Sequence, residues 1–145
     1  MTTAKQYQKS LLNAYSNTQT VGADNNIIFN EINILNGCSI NFNAGSGTIT
    51  LAKPGIYLVT LDANISDVTA AGVVTAQINR NGVQIPGAIV NVTAAVDTNY
   101  PLSISTLVKV LPSCCAVDNV TNITIANTGV EATYSNANIT VVKLC

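Results

Sequence analysis

The 145-residue chain contains no histidine and no tryptophan, and each absence removes a class of chemistry. Without His there is no general base for a Ser–His–Asp or Cys–His nucleophile, and the commonest zinc ligand is gone. With no Trp, two Phe and five Tyr, the platforms on which bases or sugar rings stack are scarce. Charge is sparse as well: Asp, Glu, Lys and Arg make up 9% of residues, against about 25% in an ordinary globular domain. Six Lys and Arg do not make the basic stripe that nucleic-acid binding needs. No apolar run approaches the ~18 residues of a membrane-spanning helix. No apolar stretch follows Lys5 and Lys9 as it would in a secretory leader, so none is expected.

What is present is apolar and uncharged-polar. Hydrophobic residues reach 48% and the net charge is −1, which excludes an ordinary disordered chain. Nineteen Asn and 17 Thr take the surface that Lys and Glu usually occupy. The length is that of one domain able to bury a full core. A neutral Asn/Thr surface gives little charge-based solubility and suits a chain that stays packed in an assembly.

Strand signals dominate. Asn26 to Ile34 places Ile28, Ile32 and Ile34 on one face. Ser39–Phe42 and Thr48–Leu51 alternate around a Gly45-Ser46-Gly47 turn. Pro54-Gly55 precedes a long strand from Ile56 to about Ile65, with Tyr57, Val59, Leu61 and Ala63 on one face. Val73–Ile78 and Val83–Ile85 flank Asn81-Gly82, a hairpin turn whose two central residues need positive φ. Pro86-Gly87 predicts another turn, and Ala88–Val92 and Leu102–Val110 continue the pattern. Ile123–Ile125 and Ile139–Val142 complete it. Eight to ten short strands with turns every eight to twelve residues predict an all-β antiparallel sandwich or jelly roll.

The N-terminus reads differently. Tyr7, Leu11, Leu12 and Tyr15 recur at helical spacing, so a short helix or arm is expected over residues 1–21, ahead of a jelly-roll domain over 22–145. Such a segment is too short to stand alone, and it either caps its own sandwich or anchors the chain to a partner. Four cysteines, Cys38, Cys114, Cys115 and Cys145, admit three readings: buried small hydrophobes, a bridge within or between subunits such as Cys145 to Cys38 or Cys115, or metal or redox chemistry. The zinc spacing is missing, and no His is present to activate a thiol. Asp62 and Asp67 have no further acidic neighbour to complete a calcium loop. The seven carboxylates show no spacing that forces two of them across a cleft. No enzyme, cofactor or metal is expected.

The run Thr48-Ile49-Thr50-Leu51-Ala52-Lys53-Pro54-Gly55-Ile56-Tyr57 resembles a signature of tumour-necrosis-factor and complement-type jelly rolls, in which a strand, a Gly and a Tyr open the long central strand. Gln77 to Gly87 resembles the hairpin that follows in that family, Ser103–Leu111 its next core strand and Asn138–Leu144 its last. The similarity spans about Ile27 to Leu144. It extends to modules on tailed-phage heads and fibres and to C-terminal domains of collagen-like spore-surface proteins. The chain departs from the family at Pro112–Val117, where a Gly-Asp pair is usual, and in having no Gly-X-Y stalk.

The resemblance implies a homotrimer. Together with the low charge it points to a non-enzymatic virion protein: a trimeric capsid-decoration or head-fibre protein of a tailed phage. Its arm (Tyr7, Leu11, Leu12, Tyr15) would bind the major capsid protein or another virion protein, with no nucleic-acid or membrane partner. Two alternatives are a spore- or cell-surface module of the same fold, and a lectin for a host surface glycan using Tyr100, Tyr134 or Asp97.

Overall fold

The computed structural model describes residues 9–112 and 120–145, and among these every regular element is a strand. In chain order they are β1 (Leu11–Val21), β2 (Asn25–Asn26), β3 (Glu31–Asn36), β4 (Ile40–Asn41), β5 (Thr48–Leu51), β6 (Gly55–Val68), β7 (Gly72–Arg80), β8 (Val83–Ala94), β9 (Tyr100–Val110), β10 (Thr121–Asn127) and β11 (Ala132–Lys143). One sheet has the order β3-β1-β11-β6-β9. The other runs β4-β5-β10-β7-β8, with β2 beside β10. All pairings are antiparallel and they nest: β7 with β8, then β6 with β9, β5 with β10, and β1 with β11. This nesting is the jelly roll.

Period-2 alternation explains the core. Tyr57, Val59, Leu61, Ala63 and Ile65 of β6 are all buried, as are Ile139 and Val141 of β11. They meet Ile49, Leu51, Val74, Ile78, Ile123 and Ile125 from the facing sheet in one cluster. Fully burying a side chain of this size contributes about 1.5–3 kcal/mol, so the two inner faces supply the fold's main driving force. Among the described residues, two buried polar atoms, Tyr134 Oη and Asn127 Oδ1, have no hydrogen-bond partner. Asn127 Nδ2 donates to Val21 O and Val130 O, both at 3.0 Å, tying β1 to the β10–β11 turn.

Three expectations are corrected. The N-terminal helix is absent from the described residues: Leu11–Val21 is a strand between β3 and β11. Leu12, Ala14 and Ser16 alternate into the core, so the apparent helical spacing came from counting residues of both strand faces together. The jelly roll therefore includes residues ahead of 22. The single face expected for Ile28, Ile32 and Ile34 is broken: a register shift pairs Ile34 with Asn13 but Ile32 with Ala14, all three are exposed, and Ile27 and Phe29 fill the core. Pro86-Gly87 does not turn the chain. β8 runs through it with Gly87 at φ 81° and a register shift opposite Gln77–Asn79, which is a bulge.

Candidate functional site

The first candidate is the outer face of the five-stranded sheet, and the registers define it row by row. Leu11, Val142, Leu58 and Leu107 are successive cross-strand partners, giving an apolar row over four strands. Leu107 is 59% exposed, which is high for a leucine in the middle of a sheet face. The next row is Ile34, Asn13, Thr140, Thr60 and Ser105, and the third is Glu31, Tyr15, Asn138, Asp62 and Ser103. Asn13 Nδ2 donates to Asn138 Oδ1 at 2.8 Å and Thr140 Oγ1 at 2.9 Å, and Asn33 Nδ2 donates to Asn13 Oδ1 at 3.1 Å. Ser103 Oγ donates to Asp62 Oδ1 at 2.7 Å. Polar groups already satisfied by neighbours cost less to desolvate, so this face is suited to contact with another protein surface.

The outer face of the second sheet is built in the same way but lacks the apolar row. Thr50 donates to Asn122 at 3.0 Å, Thr75 to Asn91 at 2.8 Å, and Gln77 to Asn79 at 2.8 Å. Side-chain amide and hydroxyl pairs therefore do what charges do on most surfaces. This explains the high Asn and Thr content.

The second candidate is the end of the sandwich where β6 and β9 meet the last residues. Ile56 N donates to Cys145 O at 3.1 Å, and Leu144 N to Ile56 O at 2.7 Å. Gly55 sits under this crossing at φ 153°. A Cβ there would collide with the Cys145 carbonyl and lie 2.7 Å from Lys143 Cε. The Gly-Ile-Tyr motif is thus explained: Gly55 clears the chain end, and Tyr57 is buried with its hydroxyl donating to Lys53 O at 2.6 Å.

Beside this crossing is a groove of about 740 Å³ lined by Lys9, Ser10, Cys38, Lys53, Lys143 and Cys145. Lys53 Nζ donates to Cys38 Sγ at 3.0 Å. This hydrogen bond and the ammonium charge lower the thiol's pKa, with Lys143 adding to the effect, and the same contact raises that of Lys53. A lowered pKa means more thiolate at neutral pH. In Lys53→Gln, iodoacetamide should alkylate Cys38 several-fold more slowly at about pH 7, by the usual dependence of rate on thiolate fraction. The difference should vanish well above pH 9.0, the ordinary thiol value, where both thiols are ionised. Peptide mass spectrometry reads the rate at Cys38 alone, and equal rates at neutral pH would contradict the contact.

The residues singled out from the sequence are dispersed. Of the four arm residues, Leu12 is in the core, Leu11 lies in the apolar row, Tyr15 is on the same outer face, and Tyr7 is outside the described residues. Cys38 and Cys145 are exposed free thiols on one groove, not buried hydrophobes, whereas Cys114 and Cys115 lie outside the described residues. Among the described residues, no three of Cys, Asp or Glu converge on a point that could hold a metal ion. Asp62 and Asp67 are both within β6, so they do not form a loop. Of the lectin candidates, Tyr134 is fully buried and unavailable to a ligand; its burial pushes the phenol pKa far up. Tyr100 Oη accepts from Ala95 N at 3.3 Å, and Asp97 lies at the opposite end of the sandwich from the groove.

No family model matches the chain, and no curated protein matches it by sequence. Solved structures do match. The globular domain of zebrafish complement 1qA is similar at a TM-score of 0.69 and 12% identity, covering 94% of this chain and 98% of that one. Murine APRIL at pH 5.0 is similar at 0.67 and 12%, over 94% and 99% of the two chains. The PRD1 vertex protein P5 is similar at 0.61 and 16%, over 94% and 98%. The chain carries a jelly roll of the tumour-necrosis-factor and C1q type, as the Gly55–Tyr57 motif implied.

Proposed function

We propose that this chain is a non-enzymatic structural protein of a virus particle: a homotrimeric jelly roll that decorates the capsid, or forms a head fibre, of a tailed phage. The observation that carries the reading is the sheet face bearing Leu11, Val142, Leu58 and Leu107 on a fold that a phage vertex protein shares over nearly its whole length. The apolar row and its satisfied polar neighbours form the surface on which three copies pack about a threefold axis. Low surface charge is then a property of a chain that spends its life in an assembly.

In this reading the residues ahead of β1 attach the trimer to the major capsid protein, and the far end of the sandwich points outward. Leu12 has no part in attachment, since it is core. The test is labelling of intact particles, purified from a culture that produces the chain, with antibody raised against the recombinant protein. Surface label on the particles supports the proposal. Particles that carry none of the chain contradict it.

A further inference from the structure

Among the described residues, the few charges are sorted by sign along the strand axis. Of the six Lys and Arg, Lys5 is outside the described residues, and the other five all lie at the end where the chain crosses Gly55. Lys9 adjoins Ser10, whose carbonyl accepts from Lys143 N at 3.0 Å. Lys53 is in the β5–β6 turn, Arg80 closes β7 opposite Ile123, Lys109 pairs with Ile56, and Lys143 is the last residue of β11.

Asp118 lies outside the described residues; the carboxylates of the described residues are elsewhere. Asp24 N donates to Asn127 O at 2.7 Å, at the far end of β10. Asp67 is opposite Thr133 at the start of β11, and Asp97 N is 3.4 Å from the Asp67 carboxylate. Glu131 accepts from Thr69 Oγ1 at 2.9 Å at the same far end. Glu31 and Asp62 sit midway along the five-stranded sheet. Among the described residues no Asp or Glu side chain lies at the cationic end.

Distance makes this segregation effective. The 14-residue β6 links the two ends and spans about 43 Å at ~3.3 Å per residue. The screening length is about 8 Å at physiological salt, so neither end neutralises the other. Even with an ionised Cys38 thiol, the balance of the described residues at the cationic end stays positive.

We infer that the end carrying Lys9, Lys53, Arg80, Lys109 and Lys143 is a docking surface for an acidic protein surface. The apolar groups among the cations favour protein over nucleic acid. Val83 is 70% exposed and Leu144 is 45% exposed at that end, apolar surface that a protein contact can bury and that a phosphate backbone does not use. The cations come from three strands, one turn and the segment before β1 and not from one phosphate-tracking row, and the aromatic Tyr57 nearby is buried. The inference goes beyond the assembly reading: a monomer would keep the same cations at the same end, so each can fail without the other.

The test is retention of the full chain on sensors carrying poly-L-glutamate, a DNA duplex or phosphatidylserine-containing vesicles. Binding to polyglutamate is expected at about 50 mM salt and should weaken about tenfold by about 250 mM, as charge-driven contacts do. Lys53→Gln/Lys109→Gln/Lys143→Gln should lose about tenfold in affinity with an unchanged melting temperature, because these side chains lie at the surface. Asp67→Asn/Asp97→Asn/Glu131→Gln, at the opposite end, should bind like the wild type. No binding to polyglutamate, or equal loss in both variants, overturns the inference. Tighter retention on the duplex or the vesicles overturns the choice of protein as partner. Salt-sensitive growth in the mass of the free protein would assign the surface to the acidic end of a second copy instead.

Discussion

Leu58→Glu/Leu107→Glu should reduce the proposed trimer to monomers. The two leucines are cross-strand partners at the centre of the apolar row, and both point away from the core. Placing two carboxylates there leaves the chain's own packing intact but buries unpaired charge wherever a second copy sits. An uncompensated buried charge costs about 3–5 kcal/mol, and each 1.4 kcal/mol is about tenfold in affinity, so the association should weaken by at least about a hundredfold. The monomer should keep its strand spectrum and a cooperative melt. Ile89→Glu, on the outer face of the other sheet, is the matched control and should leave the mass unchanged. If both variants assemble like the wild type, the outer face of the five-stranded sheet is not the contact surface.

Gly129→Ala should be the most destabilising single methyl in the chain. Gly129 lies against β7, held by Thr128 N donating to Thr75 O at 2.9 Å and Val130 N to Val73 O at 3.0 Å. A Cβ would collide with the Val73 carbonyl and sit 2.6 Å from Thr75 N and 3.0 Å from Val74 Cα. All three are backbone atoms of a strand paired on both edges, so no side-chain rotation relieves the clash. Overpacking of this kind costs about 3 kcal/mol, which for a chain of this size lowers the melting temperature by about 10 °C. A fall of less than about 2 °C would show that the β10–β11 turn stands off from β7.

Much of the fold is readable from alternation, because the core is two inner sheet faces and each strand's buried set repeats every second residue. Tyr57 to Ala63 and Leu102 to Val110 were legible for this reason, and Asn81-Gly82 marked the hairpin between them and the rest. The segment at Leu11 to Val21 misled because Leu11 and Leu12 are adjacent and serve different faces. One is in the outer apolar row and the other is in the core, a distinction that only the pairing with β3 and β11 supplies. The shared face of Ile32 and Ile34 failed similarly: a bulge beside Asn13 and Ala14 breaks the parity that the alternation assumed.

The candidate sites were less legible than the fold. The apolar row joins residues 11, 58, 107 and 142, and no local pattern relates them. The contact between Lys53 and Cys38 likewise spans 15 residues and a change of sheet. Charge counting alone gave a nearly neutral molecule. The separation of positive from negative emerges only when nested strands bring Lys9, Lys53, Arg80, Lys109 and Lys143 to one end.

The most direct test is the solution mass of the wild-type chain by light scattering, with and without reductant. A homotrimer predicts about 45 kDa, three chains of 15.1 kDa, in both conditions, because in the proposed assembly the sheet face and not the exposed thiols of Cys38 and Cys145 joins the copies. A mass of 15.1 kDa at every concentration tested would contradict the account at its centre.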